Sequence, residues 1–244
     1  MRSHFVVLSA SLVACATGPV EWQDAAPKQE TQAPAAVAAA MVPRPAGQCP
    51  ASVRTAVSNT GRHYAVWWSL RADQTADLVA SSSPEGRSWS APQRIDTVDA
   101  GRVGCARPAP AIAAEGSNVH VVYAMNAVEG PGFFLTHSMD DGVLFHSPTA
   151  VVYGNNPRLA DIAAAGNFVI VAYEDPNTRP TRISIAVSEG MGHLFEYRQV
   201  VSPASGDVLA EPRVWTDGRR VTVSWKRTAR DSSTTRVERT GLVR

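Results

Sequence analysis

The sequence is short of several things, and each shortage narrows the reading. It has almost no excess charge: 23 Lys and Arg face 22 Asp and Glu in 244 residues, a net of +1. A nucleic-acid binder usually carries a strongly basic face, so no nucleic-acid partner is expected. Only 18% of residues are charged and 44% are apolar, which excludes a chain disordered throughout. Three cysteines are too few for a disulfide-built scaffold. Glycine and proline stand at 17 each, near average use, which excludes a collagen-like or low-complexity chain. The apolar stretch Phe5 to Ala14 is ten residues long, about half of what a membrane span needs. The six histidines (4, 63, 120, 137, 146 and 193) show no metal-ligand spacing, so no metal site is expected. Neither a Gly-x-Ser-x-Gly elbow nor a phosphate loop occurs, and no cofactor is expected.

What is present begins with an address. Arg2 and His4 precede the apolar stretch, which has the length of the h-region of a secretory signal. It ends in Leu12-Val13-Ala14-Cys15. Small residues before a cysteine at this place resemble the lipobox of bacterial lipoproteins. The resemblance implies that Cys15 becomes a lipidated N-terminus, with the membrane as partner and the bacterial cell envelope as location. Ala16, where an Asp would favour the inner membrane, points to the outer membrane. Residues 16–48 hold 10 Ala and 5 Pro among 33 residues. They read as a disordered tether with a poor tendency to form strands.

Residues 49–244 repeat. A glycine is followed by alternating apolar residues ending in a large aromatic. The copies are Gly61-Tyr64-Val66-Trp68, Gly116-Val119-Val121-Tyr123, Gly166-Val169-Val171-Tyr173 and Gly218-Val221-Val223-Trp225, with glycines 55, 50 and 52 residues apart. Period two means a strand, and the glycine a tight turn before it. Val57, Ile112, Ile162 and Val214, four residues before each glycine, mark an earlier strand. A third strand is expected at Asp77–Ser81, Phe133–His137 and Arg182–Val187, and a fourth at Gln93–Asp96, Thr149–Tyr153 and Tyr197–Val201. A period near 50 with four strands per copy means a β-propeller. The fold expected is all-β, about four blades of four antiparallel strands, the last blade incomplete.

Between the third and fourth strands, Ser138, Asp140, Gly142 and Phe145 match the Asp-box, the bacterial neuraminidase repeat. Weaker copies are Ser82-Pro84-Gly86-Trp89 and Ser188-Gly190-Gly192-Phe195. The chain thus resembles the sialidase-like propeller superfamily over residues 49–244. In that family the boxes are structural and the opposite loops form the mouth. The resemblance implies three arginines clamping a carboxylate, a Tyr–Glu nucleophile pair and an acidic proton donor. Arg107, Arg158 and Arg213 begin successive inner strands, but at offsets of −9, −8 and −5 from the glycine. Asp161, Glu211 and Glu174 are the acidic candidates, and Tyr173-Glu174 the tempting pair. Tyr173 occupies the repeat aromatic position, which reads as core. The favoured function is therefore a membrane-tethered propeller that binds a protein or glycan without catalysis. A reduced sialidase-type glycoside hydrolase is the alternative, and a partial propeller completed by a partner chain another.

With Cys15 assigned to lipid, Cys49 and Cys105 are left to pair in an oxidising compartment. No closing strand is evident in the tether. Trp67 and Trp68 must point to opposite faces of one strand, so an open ring would leave an apolar patch and invite self-association. Arg213–Arg244 carries nine basic and three acidic residues, read as a solvated outer surface.

Overall fold

The computed structural model describes residues 18–23, 26–27, 42, 45, 47–99 and 104–244. The expected signal and Cys15 lie outside these residues. The described chain is a four-bladed β-propeller, all β apart from two 3-10 turns, Pro50–Ser52 and Gly104–Ala106. None of its helices is long and apolar enough to cross a membrane.

Two short strands come first, β1 (Val20–Trp22) and β2 (Ala26–Pro27). Blade 1 is β3 (Arg54–Val57), β4 (His63–Leu70), β5 (Ala76–Ser83) and β6 (Gln93–Arg94). Blade 2 is β7 (Ala111–Glu115), β8 (Asn118–Ala127), β9 (Gly130–Ser138) and β10 (Thr149–Tyr153). Blade 3 is β11 (Ala160–Ala165), β12 (Phe168–Glu174), β13 (Ile183–Ser188) and β14 (Tyr197–Val200). Blade 4 contains β15 (Val208–Thr216), β16 (Arg220–Thr228) and β17 (Thr234–Val243). The repeat glycines 61, 116, 166 and 218 all have positive φ, between +57° and +100°. That conformation is cheap only without a Cβ, and it makes the first hairpin of each blade.

The second strands of blades 1 to 3 are buried on both faces over their central residues, and that of blade 4 on the face it turns to blade 3. Trp68 and Tyr123 lie in the apolar layer joining blades 1 and 2, Tyr173 in that joining 2 and 3, and Trp225 in that joining 3 and 4. All four are at most 1% exposed. Among the described residues no apolar cluster joins blade 4 to blade 1.

The last blade is complete, which corrects the expectation from sequence. Its outer strand is β1: Val20, Glu21 and Trp22 pair antiparallel with Val243, Leu242 and Gly241. β2 pairs further along β17. The Ala/Pro-rich segment 16–48 therefore supplies part of the fold. Val20 is 1% exposed and sits in the layer between blades 3 and 4, so its branched side chain seats the strand despite the poor strand-forming character of the segment. Arg239 locks it: its Nε donates to Gln23 O (3.2 Å), its guanidinium lies 5.6 Å over the Trp22 ring, and its Nη1 donates to Val201 O (2.8 Å). Part of the basic excess of Arg213–Arg244 is thus internal structure.

Trp67 faces away from blade 2, as alternation requires, but it leaves no open apolar patch. It is fully buried with Ala65 and Val79 against Val42, Val53 and Trp89. Cys49 and Cys105 are joined by a disulfide, their Cα atoms 5.3 Å apart, which links the entries of blades 1 and 2.

Candidate functional site

The innermost strands of all four blades line one cavity of about 390 Å³ at the hub. Its walls are Arg54-Thr55, Ala109–Ile112, Leu159–Asp161 and Glu211–Arg213, one segment per blade. In blades 2, 3 and 4 the pairs Ile112–Val121, Ile162–Val171 and Val214–Val223 align the first hairpin identically. In blade 1 the residue opposite the equivalent Val66 is Arg54, because that hairpin turn is three residues longer. Where the other blades present Ile or Val to the preceding blade, blade 1 presents a guanidinium. This is the residue sequence reasoning missed. Counting back from the glycine selects Val57, and only the turn length corrects it.

Asp161 stands at the centre of the charges. Its Oδ2 accepts from Val214 N (2.9 Å) and its Oδ1 lies 3.8 Å from Arg213 Nη1. Burial pushes its carboxyl above the usual range, outweighing the Val214 N–H, Arg213 and Arg54. Arg54 donates to Val53 O (2.7 Å) and Ala51 O (3.1 Å). Burial, then the nearby Arg213 charge, lower its pKa, while Asp161 opposes them. Asp161 is thus paired with Arg213, and Arg54 lies near enough to feel both charges.

Glu211 belongs to an irregularity in the β15–β16 register between Ala210 and Arg213, and it takes a left-handed φ of +53°. Non-glycine residues hold that conformation at a cost, usually where function or packing demands it. The turn aims its N–H at Glu174 Oε1 (3.1 Å), while its carboxylate meets Lys226 Nζ at 3.3 Å. Glu174 is 3% exposed and burial raises its pKa. Arg158 reaches it at 3.5 Å from a largely exposed position.

The three expected clamp arginines do not converge. Arg107 is withdrawn into the seam between blades 1 and 2: its guanidinium lies 3.7 Å over the Trp68 ring, pairs with Asp99 and donates to Ala124 O (2.6 Å). Arg158 belongs with Glu174, and Arg213 with Asp161. Nor does a Tyr–Glu nucleophile pair form. Tyr173 packs with Phe133 in the layer between blades 2 and 3, and burial pushes its phenol above the ordinary range. Glu174, its neighbour on a strand, points to the other face.

The boxes hold turns together. Asp140 Oδ1 accepts from Ser138 Oγ (2.7 Å), Val143 N (3.1 Å) and Leu144 N (2.9 Å). Ser188 Oγ accepts from Gly190 N and Gly192 N (3.3 and 3.0 Å). In blade 1 the cap is Ser83, which accepts from Gly86 N (2.8 Å), and not Ser82. Phe145 and Phe195 enter the layers between blades. Asp141 takes the Tyr64 hydroxyl at 3.1 Å, and burial followed by that bond raises the phenol to about 12.

The histidines show no ligand spacing in the sequence, yet three of them come together in space. Residues far apart in sequence, His137, His146 and His193, meet on the box side of the propeller with one ring nitrogen each within 4.8 Å of the others. Burial holds the His137 pKa, and that of His120 behind it, near 4.

No protein-family model matches the sequence, and no curated protein is significantly similar to it. Solved structures do share the fold. A protein of unknown function from Dyadobacter fermentans DSM 18053 superimposes with a TM-score of 0.58 at 16% identity, over 78% of this chain and 52% of that one. The α-L-arabinofuranosidase Arb93A from Fusarium graminearum, in complex with an iminosugar inhibitor, gives 0.50 at 12% identity over 75% and 63%. A Hadza microbial sialidase, Hz136, gives 0.48 at 13% over 74% and 42%. The chain spans between 42% and 63% of the length of these structures.

Proposed function

We propose that the protein is a non-catalytic binding propeller that takes an acidic glycan at its hub. The observation that carries this is the pair of guanidinium groups, Arg54 and Arg213, in the lining of a cavity of about 390 Å³ whose two carboxylates are already engaged, Asp161 by Arg213 and Glu211 by Lys226. That volume falls in the range of small-molecule sites. Guanidinium groups suit a carboxylate because they are planar and bidentate. The dispersal of Arg107, Arg158 and Arg213 supports binding over turnover, since a sialidase-type clamp requires their convergence.

The test is calorimetric titration with a uronate oligosaccharide and its carboxyl-reduced counterpart. Hydrogen bonds to charged groups contribute about 1.5–3 kcal/mol each. Arg54→Ala and Arg213→Ala are therefore each expected to weaken the uronate by about tenfold or more, with little effect on the neutral sugar. Equal affinity for both sugars would sink the proposal. Cleaved products would move it to the glycoside-hydrolase alternative.

The same proposal places the propeller at the bacterial envelope, held by lipid on Cys15. Its support is the Leu12-Val13-Ala14-Cys15 motif together with the docking of β1. Val20 lies five positions after Cys15, a reach of at most about 18 Å, so an anchored propeller sits close to the bilayer with blade 4 nearest. Cys15→Ser is expected to move the protein from the membrane to the soluble fraction. Unchanged partition would refute the anchor.

A further inference from the structure

We propose that His137, His146 and His193 form a binding site for a single Zn²⁺ ion that staples blade 2 to blade 3. The site is separate from the hub and rests on none of the reasoning about glycans. His137 ends β9. His146 follows the blade 2 box, its N–H bonded to His137 O (2.9 Å) and its carbonyl taking the Thr136 hydroxyl (2.7 Å). His193 comes from the box turn of blade 3, where its N–H bonds to Gly190 O (3.1 Å). The backbone of each exposed histidine is therefore fixed before any metal arrives.

Gly192 permits the approach of the two blades. It has a φ of +88°, and a Cβ there would stand 2.7 Å from Leu135 Cδ2. The rings then crowd together: His137 lies 4.6 Å from His146 and 4.5 Å from His193 between centroids. His137 is only 2% exposed, and its Nε2 is buried with no hydrogen-bond partner. An unsatisfied buried ring nitrogen beside two other imidazoles has a cost that a metal would remove. His193 Nδ1 lies 2.8 Å from Gly190 O. With its proton directed there, Nε2 keeps a free lone pair, the arrangement that orients ligating histidines elsewhere.

Three neutral imidazoles and an open side suit Zn²⁺ with solvent as fourth ligand. Around a tetrahedral ion at about 2.0–2.1 Å the nitrogens stand roughly 3.4 Å apart. From within 4.8 Å, closure takes about 1 Å of movement together with a turn of the His146 ring out of its parallel stack on His137, and both exposed side chains, His146 and His193, are free to move.

The experiment titrates ZnCl₂ into full-length, chelator-treated and dialysed protein, by calorimetry and by thermal unfolding, with Co²⁺ as a spectroscopic probe. One site per chain is expected, with a raised unfolding midpoint and the visible absorption of four-coordinate cobalt. His193→Ala and His146→Ala should each weaken Zn²⁺ by at least about tenfold and abolish the midpoint shift. Both residues are exposed, so the metal-free variants should unfold where the parent does. His63→Ala, outside the cluster, should bind as the parent. Absence of a saturable site, or an unchanged one in the His146→Ala/His193→Ala double variant, would overturn the proposal.

Discussion

The seating of β1 gives the sharpest test of the architecture, because one side chain carries it. Val20 is 1% exposed in the layer between blades 3 and 4. Val20→Ala removes two methyl groups from that layer, at about 0.8 kcal/mol each. The cavity left behind adds to this, for a total of about 2 kcal/mol. Glu21, next in the strand, points outward and meets only Arg244 at 3.3 Å on the surface. Glu21→Ala should therefore cost less than about 0.5 kcal/mol. Val20→Asp goes further: an unpaired carboxylate among apolar residues should drive β1 off, leaving β17 an unprotected edge. Urea unfolding of the full chain, followed by tryptophan fluorescence, measures the first two. Amide exchange at Gln23 and Arg244 measures the third, since Gln23 N donates to Thr240 O and Arg244 N to Pro19 O only while the strand is seated. If Val20→Ala and Glu21→Ala are equally stable, or if exchange at Gln23 and Arg244 is unchanged in Val20→Asp, β1 is not the closing strand.

Arg107→Ala should cost about 3 kcal/mol, because it removes the cation paired with Asp99 in the seam and uncovers Trp68; a loss under about 1 kcal/mol in the same urea assay would return Arg107 to the ligand-binding candidates. Replacing Cys49 and Cys105 by Ser opens a loop of 56 residues and should lower stability by about 4 kcal/mol, read as the difference in unfolding between the parent and the double variant. Asp161 and Glu174 both have carboxyls raised by burial. Such groups bind protons more tightly folded than unfolded, so they favour folding below the ordinary carboxylate range and lose that contribution as pH rises through their raised values. Asp161→Asn should therefore flatten the decline in stability above about pH 4; an identical pH profile would refute the burial argument.

The blades were readable because their signal is local. A turn glycine and alternating apolar residues recur within eight positions, and each copy folds as one unit against the next. The closing strand left no such trace. Three residues, Val20–Trp22, pair with a strand more than two hundred positions away, too short to show a period and flanked by prolines and alanines that argue for linker. Its stability comes from Val20 filling a layer built by other blades and from Arg239 reaching back over Trp22. The histidine cluster was hidden for the same reason: His137 and His146 flank one box while His193 sits in the next, and the contact is made by stacking blades.

The hub shows where counting positions ceases to be geometry. Measured from the turn glycine, Asp161 and Arg213 both fall at −5, and the ladders agree: Asp161 opposes Ala172 and Arg213 opposes Ser224, equivalent places on β12 and β16. Arg54 falls at −7, yet its partner Val66 is equivalent to Val121, Val171 and Val223. A longer turn has drawn it back along the strand without changing its place in the blade. At that place Ile112, Ile162 and Val214 each seal an apolar seam with the preceding blade. An arginine cannot seal such a seam and keep its charge unhydrated. The junction between blades 4 and 1 consequently lacks an apolar cluster among the described residues, and Arg54 lines one cavity with Arg213 and Asp161. The feature that leaves this seam polar is therefore the one that puts a second guanidinium into the lining of the hub cavity.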